Sequence, residues 1–308
     1  MLNRATSDDG TMVWSRGGLG FVTDLSTTAP SHLMDWNAVR NHAISDPQQA
    51  WGRRVMHRLA PVPGERILDL GCGNGHLTTT VLEAIGMGHV VGLDLSEAML
   101  REAVGRTRVW PPITPLHDAS TDPCRLSYVQ GDAAALPFAD AFDAVFSAAA
   151  LHAMPDHDAV FASVYRTLAP GGRFVAECGG AGNLRALLDR AAEHLRRAPF
   201  ARHAAGWREP WQFADVPNTL MRLERAGFTA IDVSLEPSPS ALPDAAAYAE
   251  FVALIGLRPH LEALPENLHQ TFVELITEQA AADPEPFVLD YWRLNIAASK
   301  PVVAEQAA

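Results

Sequence analysis

The sequence predicts an α/β fold: a doubly wound, mostly parallel sheet enlarged by helical cap insertions. Three observations carry that prediction. Short apolar runs of strand length alternate with amphipathic helical stretches from residue 61 onward, the pattern of strands buried on both faces of a parallel sheet. One of these runs enters a glycine turn, Gly71-Cys72-Gly73-Asn74-Gly75, and then a helix, as in Rossmann-like folds. The chain is also long enough, at 308 residues and 48% hydrophobic, to bury a large single core.

Taken in order, residues 1–35 are Gly/Ser/Thr-rich with weak periodicity and read as a flexible arm. A helix then opens with Asp46 as N-cap, Pro47 at its first position and Gln49 as a capping-box partner. Trp51, Val55 and Leu59 recur four apart on one face. Arg66–Leu70 is the first strand, and Leu77, Val81 and Ile85 line the helix beyond the glycine turn, with Gly86 at its end. His89–Asp94 is the second strand, followed by a helix that Ser96 can cap. A Pro-rich loop (Pro111, Pro112, Pro115, Pro123) leads to a third strand ending at Asp132 and a fourth at Phe142–Ser147. A helix around Val160–Leu168 stops at Pro170-Gly171-Gly172, before a fifth strand at Arg173–Glu177. The alternation resumes with a helix at Asn218–Ala226 and strands through Ile231–Val233 and Phe287–Ser299. Residues 181–217 and 240–285 read as helical insertions, giving one domain over 36–300 and a tail at 301–308.

Composition excludes several classes. No run of about 18 apolar residues exists to span a membrane. Asp8, Asp9 and Asp24 leave no apolar core for a secretory signal. Three cysteines are too few for a disulfide framework or a CxxC metal site, so no metal and a reducing, cytoplasmic setting are expected. A net charge of −12 argues against sequence-independent nucleic-acid binding.

A strand entering a glycine turn and a helix sets backbone N–H groups and a positive helix end beside a ligand. Three acids share that geometry: Asp69 before the loop, Asp94 ending the second strand, and Asp132 ending the third. Asp94 is placed to accept two ribose hydroxyls and Asp132 to accept from an exocyclic base amine. Any one of them alone reads equally as a strand-end aspartate capping the next helix. The glycine spacing is GxGxG, not the GxGxxG of dinucleotide sites, and no P-loop is present. A carboxylate at Asp69 favours a cationic cofactor group over a pyrophosphate. S-adenosylmethionine (SAM) therefore fits better than NAD or ATP, with an NAD-dependent oxidoreductase and a non-catalytic SAM-binding protein as rivals.

Ile67–Gly75 resembles the first motif of class I SAM-dependent methyltransferases, Val91–Met99 the second and Gly131–Phe138 the third. Phe142–Ser147 with Leu151-His152, then Leu168–Gly172, are similar to the fourth and fifth. Within that class the chain resembles trans-aconitate methyltransferase-like small-molecule enzymes, also at Trp36-Asn37, at Glu177–Gly180 with Asn183, and at Asp290–Leu294. The resemblance implies that Asp69, Gly71, Cys72, Gly73, Asp94, Leu95, Met99, Asp132, Ala133 and Ser147 carry the cofactor.

Methyl transfer from a sulfonium is an in-line displacement, so the enzyme mainly aligns acceptor, methyl and sulfur. A hydroxyl acceptor needs a base, and His152, just after the fourth strand, is the candidate, with an unperturbed pKa near 6.5. A carboxylate acceptor needs none. Oxygen is the expected acceptor, with carbon or nitrogen of a secondary metabolite as the alternative. Residues 181–228 carry net +3 inside an acidic chain, which suits an anionic small-molecule substrate. Arg185, Arg190, Arg196 and Arg197 fall on a polar helix face and are expected to be solvated. Arg202, Trp207, Arg208 and Trp211 remain as candidate substrate residues.

Overall fold

The computed structural model describes residues 3–6, 12–16, 19–23, 46–109 and 124–302. Trp36-Asn37, the Pro-rich loop, most of the arm and residues 303–308 of the tail lie outside the described residues. So do the side chains of Asp46, Pro47 and Gln49.

The expected alternation forms a sheet whose strands switch faces residue by residue. In β4 (Arg66–Leu70), Ile67 faces one hydrophobic cluster while Leu68 and Leu70 face another. In β5 (Gly88–Asp94), Val90 divides in the same way from Val91 and Leu93. The first cluster is closed by α1 (Asp46–Leu59), α2 (His76–Ile85) and α3 (Glu97–Val109), through Val55, Leu59, Val81, Ile85 and Leu100. The second is closed by α4 (His157–Thr167), through Val160, Phe161 and Val164, and by α6 (Val216–Ala226), through Leu223. Apolar side chains on both faces explain why these strands read as unbroken apolar runs.

Parallel pairing runs from β6 (Cys124–Gln130) through β5 and β4 to β7 (Phe142–Ala148) and β8 (Leu168–Gly179). Antiparallel β12 (Trp292–Ser299) lies between β8 and β9 (Thr229–Pro237). The strand order β6-β5-β4-β7-β8-β12-β9 reverses direction at β4. That switch point opens a crevice beyond the carboxyl ends of β4, β5 and β7, where ligands of such sheets bind.

The N-terminal segment departs from the arm expected of it. Residues 3–6, 12–16 and 19–23 form β1, β2 and β3, and β3 pairs in parallel with β6. Backbone hydrogen bonding does not need side-chain periodicity, which is why a Gly/Ser/Thr-rich segment gave no strand signal. The pairing also covers an edge that β6 would otherwise expose.

The two insertions merge into one cap. Leu187, Ala191 and Leu195 of α5 (Arg185–Leu195) share a buried cluster with Tyr248 and Phe251 of α7 (Ala245–Phe251). Leu257, just before α8 (Arg258–Glu262), and Phe272 and Ile276 of α9 (Glu266–Ala281) complete it. Trp51 of α1 and Tyr291 join the same cluster, so the cap is continuous with the sheet at that point. Arg185 stays exposed beside Asp189, but Arg190 does not follow the solvated reading: it is largely buried in an ion pair with Asp283.

Phe272 is fully buried, with Phe200 edge-on at 5.1 Å. Replacing it with alanine should lower stability by about 3–5 kcal/mol in urea unfolding. A loss under about 1 kcal/mol would show that the insertions do not share a core.

Candidate active site

The glycine loop leaves β4 under tight restraint. Gly71 and Cys72 both donate their N–H groups to the Leu93 carbonyl, at 2.8 and 3.0 Å. Gly71 has φ +75°, and a Cβ there would lie 2.4 Å from the Ala150 Cβ. The loop therefore packs directly on the segment after β7, which only glycine permits. Gly73 is also left-handed, at φ +54°, but a Cβ there would meet nothing within 4 Å. Its backbone faces open space on the ligand side of the loop.

Asp94 ends β5 beside this opening. Its carboxylate accepts from Gly73 N–H and from Ser96 N–H, each at 2.8 Å. The carboxylate keeps acceptor capacity beyond its backbone donors, so a hydroxyl donor can still be received. Burial raises its pKa, and the backbone donors at Ser96, Gly73 and Leu95 oppose that rise. Leu95 follows as an exposed apolar side chain, Met99 is buried behind it, and the Ser96 hydroxyl caps α3 through Met99 N–H. Asp132 is exposed and caps the short turn Ala133–Ala135 through Ala134 N–H at 2.9 Å, with Ala133 buried. Both acids thus act as caps while lying at one crevice. Open backbone at Gly73, a receptive carboxylate at Asp94 and an apolar ledge at Leu95 fit the adenosine and amino-acid parts of SAM.

Asp69 lies deeper, 2% exposed, and accepts from the Thr78 hydroxyl at 2.6 Å. Burial pushes its carboxyl up to about 7, against the pull of the Thr78 bond, and the Asp94 charge adds to the rise. Burial likewise holds the Cys72 thiol well above its usual range, so it is a packing thiol and not a nucleophile. Ser147 is fully buried, and its hydroxyl donates to the Leu70 carbonyl at 2.8 Å. It ties β7 to β4 instead of facing the crevice, which corrects its expected place among the cofactor residues.

A cavity of about 50 Å³ is bordered by Ala149 and His152, from the segment that Gly71 packs on. Ala149, His152, Trp211 and Phe213 line it together with Trp51, Asn183, Leu184, Tyr291 and Arg293. Two of these, Ala149 (φ 55°) and Leu184 (φ 54°), hold left-handed backbone, the kind of local strain that concentrates at functional sites.

His152 and Trp211, expected from sequence, meet here with ring centroids 5.4 Å apart. His152 is not the titrating base expected of it. Its Nδ1 accepts from Gly179 N–H at 3.3 Å, which leaves the ring proton on Nε2. Burial, reinforced by the charges of Arg293 and His157, lowers its pKa to about 3. The ring is a neutral hydrogen-bond donor with no nitrogen free to take a proton.

The other three substrate candidates lie elsewhere. Arg202 and Arg208 are exposed, and Trp207 packs in the cap against His260, at 4.5 Å between centroids. Their nearness to tryptophans along the chain did not survive the turns at residues 196–207.

The cation of the pocket is Arg293, 3% exposed. Its Nε donates to Glu177 at 3.2 Å, and the guanidinium lies 4.0 Å over the Trp51 ring. Register explains the pair. Glu177 sits opposite Asn295 across β8 and β12, so Arg293, two residues away, is its diagonal neighbour on the same face. Arg54 of α1 also reaches Glu177, at 3.5 Å. Among the described residues, Arg293 Nη2 and Glu177 Oε2 are buried with no hydrogen-bond partner. Sequence reasoning assigned no role to Arg293, Glu177, Tyr291 or Asn183. The one signal was the resemblance at Glu177–Gly180 with Asn183 and at Asp290–Leu294.

Residues 68–176 match the family model for the methyltransferase domain, and the strand order and glycine loop agree with the fold of SAM-dependent methyltransferases. Within that class the chain is similar to trans-aconitate 2-methyltransferases. That of Variovorax paradoxus is 28% identical over 250 residues, covering 78% of this chain and 87% of the relative. A demethylmenaquinone methyltransferase of Lactococcus lactis is 36% identical over 127 residues, 41% of this chain and 46% of its own. The fold is shared with phosphoethanolamine N-methyltransferase 2 of Haemonchus contortus, whose solved structure holds SAM. Its TM-score is 0.50 at 23% identity, covering 81% of this chain and 52% of that one. No helix among the described residues is long and apolar enough to cross a membrane.

Asp69 makes stability pH-dependent with a definite sign. Its folded pKa of about 7 lies above the 3.8 of an ordinary aspartate, so between those values the folded chain holds a proton that the unfolded chain has lost. Stability from this group falls as pH rises from about 4 to about 7 and is flat above. Compared with Asp69→Asn, the native protein should lose on the order of 4 kcal/mol across that window. Urea unfolding of both at several pH values measures it; parallel curves would exclude a buried, proton-holding Asp69.

Proposed function

We propose that this enzyme transfers the methyl group of SAM to a carboxylate oxygen of a small molecule in the cytoplasm. The observation that carries the reading is Arg293, which lines an apolar cavity with His152 and has a buried Nη2 with no hydrogen-bond partner. Those two donors suit an anionic acceptor. A hydroxyl, amine or carbon acceptor must lose a proton, and neither nitrogen of His152 is available to take it.

In this reading Gly71, Cys72 and Gly73 line the amino-acid part of the cofactor, and Asp94 accepts the ribose hydroxyls. Leu95, Met99 and Ala133 flank the adenine, Asp132 accepts from its amine, and Asp69, beneath the loop, would be held ionised by the bound sulfonium. When bound, SAM supplies an electrophilic methyl carbon on a positively charged sulfur. Arg293 and His152 orient the carboxylate, Trp51, Trp211 and Phe213 exclude water, and the left-handed backbone at Ala149 sets the cavity wall against the glycine loop. The acceptor oxygen supplies the electron pair of the new C–O bond, and the pair of the breaking C–S bond leaves with sulfur. The products are a neutral ester and a neutral thioether, and no proton moves.

Two measurements test this. Asp94→Ala should weaken SAM binding by roughly 2 kcal/mol or more, about thirtyfold, in calorimetry; unchanged affinity would remove the ribose assignment. At saturating SAM, kcat should be level from pH 6 to 8, because His152 stays neutral and a carboxylate is already ionised, and the product should be a base-labile methyl ester. A rise in kcat centred near 6.5 would restore a titrating base and overturn the carboxylate reading.

A further inference from the structure

The acceptor cavity is poor in charge compared with what a multiply charged acid would need. Among the described residues, Arg293 is the one cation that lines it, and the rest of the wall is mostly aromatic or aliphatic, including Trp51, Trp211, Phe213, Tyr291, Leu184 and Ile255. Arg293 already faces Glu177, so the cluster of Arg54, Arg293 and Glu177 carries a single net positive charge. Arg54 contributes to it from a half-exposed position outside the cavity lining. The arginines that gave residues 181–228 their basic character point elsewhere: Arg202 and Arg208 are exposed, Arg190 pairs with Asp283, and Arg222 and Arg225 pair with Asp158.

We infer that the acceptor is a monocarboxylic acid with an apolar or aromatic body, and not a tricarboxylate of the kind for which the trans-aconitate relatives are named. One carboxylate neutralises the net charge of the cluster and meets two donors, Arg293 Nη2 and His152 Nε2–H. Each additional carboxylate would enter a wall of indole, phenyl and aliphatic surface with no counter-ion among the described residues, and burying an unpaired charge is strongly unfavourable. The same wall is favourable for an apolar body, because it offers area to bury and ring faces to stack on. Trp51 has a double role. Its ring covers the guanidinium at 4.0 Å and meets Tyr291 edge-on at 4.8 Å, so it holds Arg293 in place while presenting apolar surface.

The inference rests on the carboxylate reading, and one experiment separates the two. The full-length enzyme with SAM is assayed for methyl-ester formation by mass spectrometry on phenylacetate, indole-3-acetate, octanoate and trans-aconitate, with a phenol and an aryl amine alongside. Binding of the same compounds to the enzyme saturated with S-adenosylhomocysteine is followed by calorimetry. The expected result is that at least one monocarboxylate binds and is esterified with kcat/KM at least a hundredfold above that of trans-aconitate. Comparable or better binding and turnover of trans-aconitate would overturn the monocarboxylate inference and leave the carboxylate acceptor standing. Methylation confined to the phenol or amine, or no binding of any acid, would overturn both.

Discussion

The Leu93 carbonyl accepts hydrogen bonds from both Gly71 and Cys72, and the two halves of the site are arranged around that anchor. It bends the chain leaving β4 toward the end of β5, which brings Gly73 within 2.8 Å of the Asp94 carboxylate. The same bend presses Gly71 against Ala150 with no room for a side chain. In the proposed function the cofactor crevice and the acceptor cavity meet at this loop. An in-line displacement needs that proximity, because most of what the protein contributes to such a reaction is alignment.

Electrostatics divides between the two sides. Beneath the loop, Asp69 and Asp94 are buried near one another, and burial raises both pKa values. A positively charged sulfur bound there would favour the ionised forms that burial disfavours. Across the loop, Arg293 and Glu177 are buried as an ion pair, with Trp51 over the guanidinium. Burying two charges costs several kcal/mol per ion before their attraction offsets it, and apolar packing generally serves stability as well or better. Under the proposed carboxylate reading, Arg293 at the cavity wall gives the pair a functional reason to be there.

The doubly wound core was legible because its signals are local. Gly86 closes its helix in left-handed backbone, where the sequence places the end of that helix. The apolar runs of β4, β5 and β7 carry the parallel sheet directly. The acids at the strand ends were legible for the same reason, since strand-end position follows from the strand pattern. The acceptor side was not. Proximity in sequence to Trp207 and Trp211 suggested Arg202 and Arg208, yet the turns between α5 and α6 expose both arginines. Ser147 was placed correctly at the end of β7, but whether its hydroxyl faced the crevice or Leu70 depended on the face of the strand.

By itself, then, the sequence determined the order of strands and helices, the glycine loop, and the acids at the strand ends, because each depends on residues a few positions apart. Only the tertiary structure decided which cation enters the acceptor cavity and what His152 can do there. Arg293 meets Glu177 and Trp51 through antiparallel register and helix packing across more than a hundred residues. His152 loses its basicity to burial and to a backbone donor at Gly179. Long-range register and desolvation have no local sequence pattern, and they are the two quantities that set the chemistry of this site.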